Sequence, residues 1–532
     1  MYSEVFSTTL IGLDAVVVNV EIDAGMGIPY FEMSGYLTTQ VKEAKERVKV
    51  AIRNSGFELK PQRIVVNISP ADIRKSGTGF DLPIALGILA ANGIVDDKSI
   101  KSMVIIGELS LDGEVNSVRG VLASVDAAKQ KGFNLCIVPA ENLSEGSLVK
   151  GIDVKGVKSL SELAAYINDG IEPACDVRSL RQGGCASATR TLKQEQYSSV
   201  RYDVSDNCID FSDVRGQTVA KRATLVAAAG MHNIMYIGPP GSGKTMLAQR
   251  IPTIMPKLTF EESMQLTKIY SVAGKLEKTG ELIKNRPFRS PHYSITQSAF
   301  LGGGRVPEPG EVTLASKGVL FLDELTCFQE KMLESLRQPI EDKVIRIVRM
   351  SGEYIYPSDF MLVAAMNPCK CGYYPDRKRC SCSEYEVKKY LGKISQPMWD
   401  RFDISVAVDK LRFSDMQQEQ SDKEYSSENM LKKITMAREL QLERFEKSSI
   451  KFNSFMTPQQ IHKFCRLGSE QKKFMERVYN ALLLTARGYN KILKTARTIA
   501  DLAGEKNIRR EHLAEAFGYR TLEGRLWGRE KD

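Results

Sequence analysis

Three kinds of hydrophobic pattern divide the chain. Up to about residue 165, short apolar runs such as "AVVVNVEI", "RIVVNI", "SMVIIGEL" and "LCIVPA" alternate with segments of helical period such as "TTQVKEAKERVKVAIRNSG", "LPIALGILAANG" and "VLASVDAAKQKG". Strand-like runs interleaved with helical segments predict one mixed α+β domain over residues 1–165. Residues 166–204 lose both periods; the stretch is polar, glycine-containing and aperiodic, which predicts a linker. From "IDFSDVRGQ" to about residue 405 the two patterns alternate again, as in a parallel sheet with helical crossovers. Residues 406–532 are mainly of helical period, as in "ENMLKKITMARELQLERF", "EQKKFMERVYNALLLTARGYNKILKTARTIADLAG" and "RREHLAEAFGYR". The predicted architecture is therefore an α/β parallel-sheet core over 205–405, a helical region after it and an α+β domain before it.

The strongest chemical signal lies where one strand run meets a helix. "IMYI" feeds Gly238, Pro239, Pro240, Gly241, Ser242, Gly243, Lys244 and Thr245, and a helical pattern follows. This is the P-loop spacing in the strand–loop–helix context that it requires. Glycines let backbone N–H groups close around phosphate oxygens, and the helix N-terminus adds a positive dipole end. Lys244 is placed to reach the β- and γ-phosphates of ATP, and Thr245 to bind Mg²⁺.

Two further apolar runs end in polar residues. "GVLFLDEL" closes a buried strand with Asp323 and Glu324. Asp323 can hold Mg²⁺ through water, and Glu324 can orient or deprotonate an attacking water. "MLVAAMNPC" closes another strand with Asn367, which can position water near the γ-phosphate. "SQPMWDRFDI" supplies Arg401 and "LKTARTIADLAG" supplies Arg497. Arginine suits the spread charge of a transferring phosphoryl group, though each of the two alone reads as a surface charge.

Directly behind Asn367, residues 369–382 gather Cys369, Cys371, Cys380 and Cys382, four of the chain's 10 cysteines. Two C-x-C pairs with a turn between them can close a tetrahedral Zn²⁺ site; the other reading is reduced cysteines in a surface loop. Cys136, Cys175, Cys185, Cys208, Cys327 and Cys465 have no metal-ligand spacing. "IEDKVIRIVRMSGEYIYPSDF" reads as a hairpin around "MSGE". Lys343, Arg346 and Arg349 are expected to fall on one face of it, where they could track DNA phosphates or simply be solvated.

Composition limits the picture only a little. The 532 residues are 42% hydrophobic and 26% charged, an ordinary globular balance, and the net charge is +9. That basic excess permits nucleic-acid binding without demanding it. The opening residues do not read as a secretory signal, and no apolar run is long enough for a bilayer. A cytoplasmic place without membrane attachment is expected.

Taken in order, "GPPGSGKT", "GVLFLDEL", "AAMNPC", "DRFDI" and "ARTIADL" resemble the magnesium-chelatase-like AAA+ ATPases of the YifB/ComM family, and "RPFRSPHYSITQSAFLGGGRVPEPGEVTLASKGVLFLDEL" is especially close to them. The resemblance covers nearly the whole chain outside the linker. It implies that Asn367 is a first sensor, Arg401 an arginine finger acting on a neighbour's ATP, and Arg497 a second sensor on a helical lid. It also implies ATP and Mg²⁺ as cofactors and a homo-oligomeric ring, a hexamer, because a finger acting in trans needs a neighbour. The chain departs at Ser395-Gln396-Pro397, where members commonly read Ser-Gly-Pro. Residues 1–165 resemble the Lon protease catalytic domain. The serine position of that family falls on Gly79 and the lysine position on Leu122, with Ser76 and Lys75 outside the matching positions. An inactive Lon-like scaffold is therefore expected. The function implied is a DNA-acting ring motor in recombination or uptake of incoming DNA. A chelatase motor subunit, an ATP-dependent protease and a regulatory ATPase without unwinding remain as alternatives. DNA structure, strand polarity and ring size are not legible.

Overall fold

The computed structural model describes residues 1–174, 209–277, 281–350, 352–410, 423–448, 450–482 and 484–520. The first sheet holds β1 (Tyr2–Ile11), β2 (Asp14–Gly25), β3 (Tyr30–Ser34), β4 (Arg63–Ser69), β5 (Met103–Ile105), β6 (Leu135–Pro139) and β7 (Asp153–Val157), in the order β3–β4–β2–β1–β5–β6–β7. β1 and β2 form a long antiparallel hairpin, with Val5 opposite Val20, and β4 pairs antiparallel to β2. β5, β6 and β7 run parallel. The mixed pairing is that of an α+β domain, as the alternating patterns predicted. Its core is built on the buried helix Asp81–Ala91 and on Val5, Val20 and Ile22.

The linker expectation changes at its start. A helix spans Leu160–Asp169, with the Ser159 side chain accepting from Glu162 N and with Leu160, Leu163 and Ala164 buried. Beyond residue 165, Tyr166 and Ile167 still pack against the first domain's core, and left-handed Gly170 ends the helix. Most of the predicted linker, with Cys175 and Cys185, lies outside the described residues, as does Cys208.

The second sheet holds β8 (Ile234–Ile237), β9 (Phe288–Arg289), β10 (Val319–Leu322), β13 (Met361–Met366) and β14 (Ile404–Ala407) in the order β9–β10–β13–β8–β14, all parallel. Between them in sequence, β11 (Val344–Arg349) and β12 (Gly352–Pro357) form the predicted hairpin. Every residue of β8, β10 and β13 is buried, which is why these strands read as unbroken apolar runs. β14 runs two residues past the expected boundary at 405.

Helices Ser427–Arg444 and Ala486–Leu502 pack with helix Thr218–Gly230 of the core, while Arg510–Gly518 packs on Ala486–Leu502 and pairs its Glu515 with Arg222 of the core helix at 2.8 Å. Their apolar faces, including Ile434, Ile492, Ala496 and Leu513, join the core residues Ile234 and Tyr236 in one cluster. The first domain also touches the core. Lys268 Nζ meets Asp14 at 2.7 Å, Arg119 meets Glu308 at 3.0 Å, and Leu13 packs against the core cluster that includes Ile345 and Tyr356 of the hairpin.

Candidate nucleotide site

The order of the second sheet explains the site. β8, β13 and β10 are consecutive neighbours and parallel, so their carboxyl ends open on one edge. That edge is where ligands bind in open parallel sheets. The P-loop follows β8, Asn367 follows β13, and Asp323 and Glu324 follow β10. Three segments far apart in sequence therefore meet at three adjacent strand ends.

The P-loop is shaped by Gly241 and Gly243, at φ +74° and +92°, a left-handed backbone that favours glycine. Helix Lys244–Ile254 starts immediately after it. The Lys244 ammonium donates to Gly238 O and Pro239 O, both at 2.8 Å, and to Asn367 Oδ1 at 3.2 Å. Burial pushes this ammonium below its ordinary value, while Asp323 and Glu324 pull it back up. Thr245 Oγ1 donates to Asp323 Oδ2 at 2.9 Å, so the two groups suited to Mg²⁺ already adjoin. Asp323 Oδ1 accepts from Glu324 N at 2.9 Å. Glu324 itself is exposed and held at φ +50°, a left-handed conformation that costs a glutamate energy. A buried lysine, a paired hydroxyl and carboxylate, and a helix N-terminus beside a glycine loop fit a Mg²⁺-bound nucleoside triphosphate.

Arg401 stands elsewhere. It precedes β14, which runs parallel to β8 with Ile404 opposite Ile234 and Ala407 opposite Ile237. Arg401 therefore lies at the amino edge of the sheet and the P-loop at the carboxyl edge, roughly 20 Å apart at the rise of a strand. A short helix, Gln396–Trp399, leads to it, with the Ser395 side chain accepting from Met398 N. The departure at Gln396 thus leaves a capped turn in place. The Arg401 guanidinium pairs with Glu341 at 2.7 Å, its Nε has no hydrogen-bond partner among the described residues, and burial lowers its pKa.

Arg497 is 2% exposed and bound within the helical region, to Asp501 at 3.1 Å and to the carbonyls of Lys506 and Glu505. Its position, four after Leu493 and three before Ala500, puts it on the buried stripe of its helix. Arg487, which sequence reasoning missed, begins the same helix with its side chain 56% exposed and meets Glu341 at 3.4 Å. Arg401 and Arg487 thus share one carboxylate. The signal was the helical period: Arg487, Lys491 and Lys494 occupy the face away from the apolar stripe.

The hairpin expectation also changes. Lys343 precedes β11 at φ +59°, with its ammonium 4.3 Å from the Phe455 ring centre, and burial lowers its pKa. Arg346 and Arg349 are exposed, but a separation of three residues sends them to opposite faces of a strand. Arg346 pairs with Glu353 across the hairpin at 3.1 Å. The three cations therefore do not form one face.

The four cysteines converge. One sulfur from each lies within 4.8 Å of the others, with Cys369–Cys371 at 3.3 Å, Cys371–Cys380 at 3.5 Å and Cys369–Cys380 at 3.8 Å. Four thiolates at about 2.3 Å from a tetrahedral Zn²⁺ stand about 3.8 Å apart, so the donor set fits such an ion. Burial raises the Cys371 thiol, but the Tyr373 amide and the neighbouring thiols outweigh it and bring it down to about 6. In the first domain, Gly79 faces Ile106, and Leu122 is buried in helix Val121–Gln130. Lys75 is wholly buried and its ammonium donates to the Pro70 carbonyl.

The family described as "Magnesium chelatase, subunit ChlI" matches residues 210–416, "Subunit ChlI of Mg-chelatase" matches residues 20–142, and "Magnesium chelatase, subunit ChlI C-terminal" matches residues 424–520. The competence protein ComM of Haemophilus influenzae is 38% identical over 518 residues, 97% of each chain. The uncharacterized protein YifB of Escherichia coli is 36% identical over 521 residues, 98% of this chain and 97% of its own. An archaeal Lon protease of Methanocaldococcus jannaschii is 26% identical over 121 residues, 23% of this chain and 18% of its own. Full-length similarity at this level, over a P-loop sheet of this order, makes the chain a member of the YifB/ComM family of magnesium-chelatase-like AAA+ proteins.

Proposed function

We propose that this chain is an ATP-hydrolysing ring motor that acts on DNA, by branch migration or unwinding, during recombination or uptake of incoming DNA. The observation that supports it most is the split of the catalytic set between two edges of one sheet. Lys244, Thr245, Asp323, Glu324 and Asn367 gather at the carboxyl edge, while Arg401 sits at the amino edge. A finger so far from its own P-loop serves a site only in a neighbouring copy. A closed ring of identical subunits, here a hexamer, satisfies every site at once.

In this reading Lys244 and the loop amides bind the β- and γ-phosphates, and Thr245 and Asp323 hold Mg²⁺. The metal neutralises charge on the phosphates when bound. Glu324 takes a proton from the attacking water, and Asn367 orients that water. Arg401 meets charge on the neighbour's γ-phosphate, Arg487, sharing Glu341 with it, is added to that face, and Arg497 is the second sensor of the helical lid. The exposed hairpin residues Arg346 and Arg349 contact DNA phosphate. The cysteine loop holds a structural Zn²⁺. The Lon-like domain, with Gly79 and Leu122 at the serine and lysine positions, is a scaffold rather than a protease.

DNA enters this reading through the relative named for competence. The chelatase names of the matching families favour a second reading, a motor subunit that drives Mg²⁺ insertion. Turnover separates the two. ATPase activity of the purified chain, alone and with single-stranded, forked and four-way DNA, is expected to rise with at least one DNA form. Turnover indifferent to every form would refute the DNA reading.

A further inference from the structure

The cysteine loop does more than follow Asn367. Gly372, in its first turn, is buried at φ +86°, and a Cβ added there would stand 2.6 Å from Pro240 Cδ of the P-loop. The turn is closed by Gly372 N donating to Cys369 O at 3.0 Å and by Tyr374 N reaching Cys369 Sγ at 3.4 Å. Cys369 lies two residues past Asn367, whose side chain accepts from Lys244. Beyond Cys382, helix Glu384–Leu391 carries Tyr390, whose hydroxyl accepts from Thr326 Oγ1 at 2.8 Å, two residues after Glu324. One small loop therefore touches the P-loop and is fastened close to both Asn367 and Glu324.

We propose that this loop is a metal-set clamp on the nucleotide site. A thiophilic divalent ion at Cys369, Cys371, Cys380 and Cys382 fixes the turn that presses Gly372 against Pro240, and so sets the affinity for nucleotide phosphate. The inference rests on the metal reading above and goes further. A purely local staple would leave nucleotide binding unchanged when the ion is removed. Gly372 is a positioning residue that acts through Pro240: the close approach leaves no room for a side chain, and the contact falls on the loop that surrounds the phosphates.

The test uses the full chain, with Mg²⁺-ADP as the probe. Metal content, ADP affinity and far-ultraviolet circular dichroism are measured on the purified protein, on protein stripped with a chelator and on protein reloaded with Zn²⁺. The expected result is about one ion per chain, lost on stripping, with ADP affinity falling about tenfold at unchanged helicity and returning on reloading. Gly372→Ala keeps all four thiols. It should retain the ion yet bind ADP about tenfold more weakly, because the new methyl overpacks against Pro240 and also strains a backbone at φ +86°. Adding Pro240→Ala to Gly372→Ala relieves the contact and should recover part of the loss, which a general weakening of the loop would not. Protein that never carries a metal overturns the metal reading and the clamp with it. Protein that carries the ion but binds ADP equally well with and without it overturns the clamp alone, as does Gly372→Ala with unchanged ADP affinity.

Discussion

Lys244→Ala and Glu324→Gln should both stop turnover, but they should part at ATP binding. Lys244 donates three hydrogen bonds inside the site, to Gly238 O, Pro239 O and Asn367 Oδ1. On binding a triphosphate it gives up part of that set for charged oxygens. A hydrogen bond to a charged group is worth about 1.5–3 kcal/mol, and one between an ammonium and a neutral carbonyl lies at the lower end. Two phosphate contacts, less the carbonyl contacts released, leave a net of about 2–4 kcal/mol, or roughly 30- to 1000-fold in Kd. Lys244→Ala also leaves Gly238 O and Pro239 O without this donor, at a local cost of about 1–3 kcal/mol, so its unfolding midpoint in urea is measured alongside. Glu324 is exposed beside Asp323 and acts on water in the transition state rather than on bound ATP. Glu324→Gln should keep ATP affinity within about threefold while turnover falls about 10²- to 10⁴-fold. The assay is titration with a fluorescent ATP analogue, with phosphate release measured in parallel. Equal losses of affinity in the two variants, at equal folded fractions, would refute the separation of roles.

Three further outcomes follow from individual residues. Glu324→Gly should abolish turnover yet raise stability by about 0.5–1 kcal/mol, because glycine adopts φ +50° freely; a lower unfolding midpoint contradicts the strain. Lys343→Ala should cost about 1–2 kcal/mol of stability through its lost contact with Phe455 and leave the salt dependence of DNA affinity alone, whereas Arg346→Ala should reduce that slope by about one; the opposite assignment would return Lys343 to the DNA face. Burial would raise the Asp403 carboxyl, but Lys491, His232 and Lys494 outweigh it and hold it well below the usual carboxylate range. Its contribution is thus present above the ordinary carboxylate value and is lost as pH falls. Asp403→Asn should lower stability at pH 7 by about 2 kcal/mol and flatten acid unfolding below about pH 4; an unchanged acid limb contradicts it.

What could be read from the sequence was what is local. The P-loop is contiguous, and its glycines, lysine and threonine carry their chemistry in their spacing. Asp323, Glu324 and Asn367 were visible because each closes an unbroken apolar strand. Their convergence was not visible, since it depends on the strand order β10–β13–β8, which no local pattern encodes. The separation of Arg401 from the P-loop likewise emerges only from the parallel pairing of β14 with β8. One misplacement came from period rather than composition: Lys343, Arg346 and Arg349 stand at intervals of three, which a strand of period two cannot bring to one face. Arg497 carries its motif in sequence, and its burial beside Leu493 and Ala500 emerges from the packing of its helix. The contact of Gly372 with Pro240 joins two loops from different strand ends and left no trace in either segment.

A finger that works across a subunit boundary is open to a direct test. Arg401→Ala protein has an intact P-loop and no finger; Lys244→Ala protein has an intact finger and no working P-loop. Each alone should be inactive, since arginine fingers contribute about 10³- to 10⁵-fold in rate. In an equal mixture that assembles at random, half of the subunits have a good P-loop and half of their neighbours a good finger. About a quarter of the interfaces are then complete, and up to about a quarter of normal ATPase activity should return. Mixtures shown by sizing to co-assemble, yet as inactive as either variant alone, would contradict the claim.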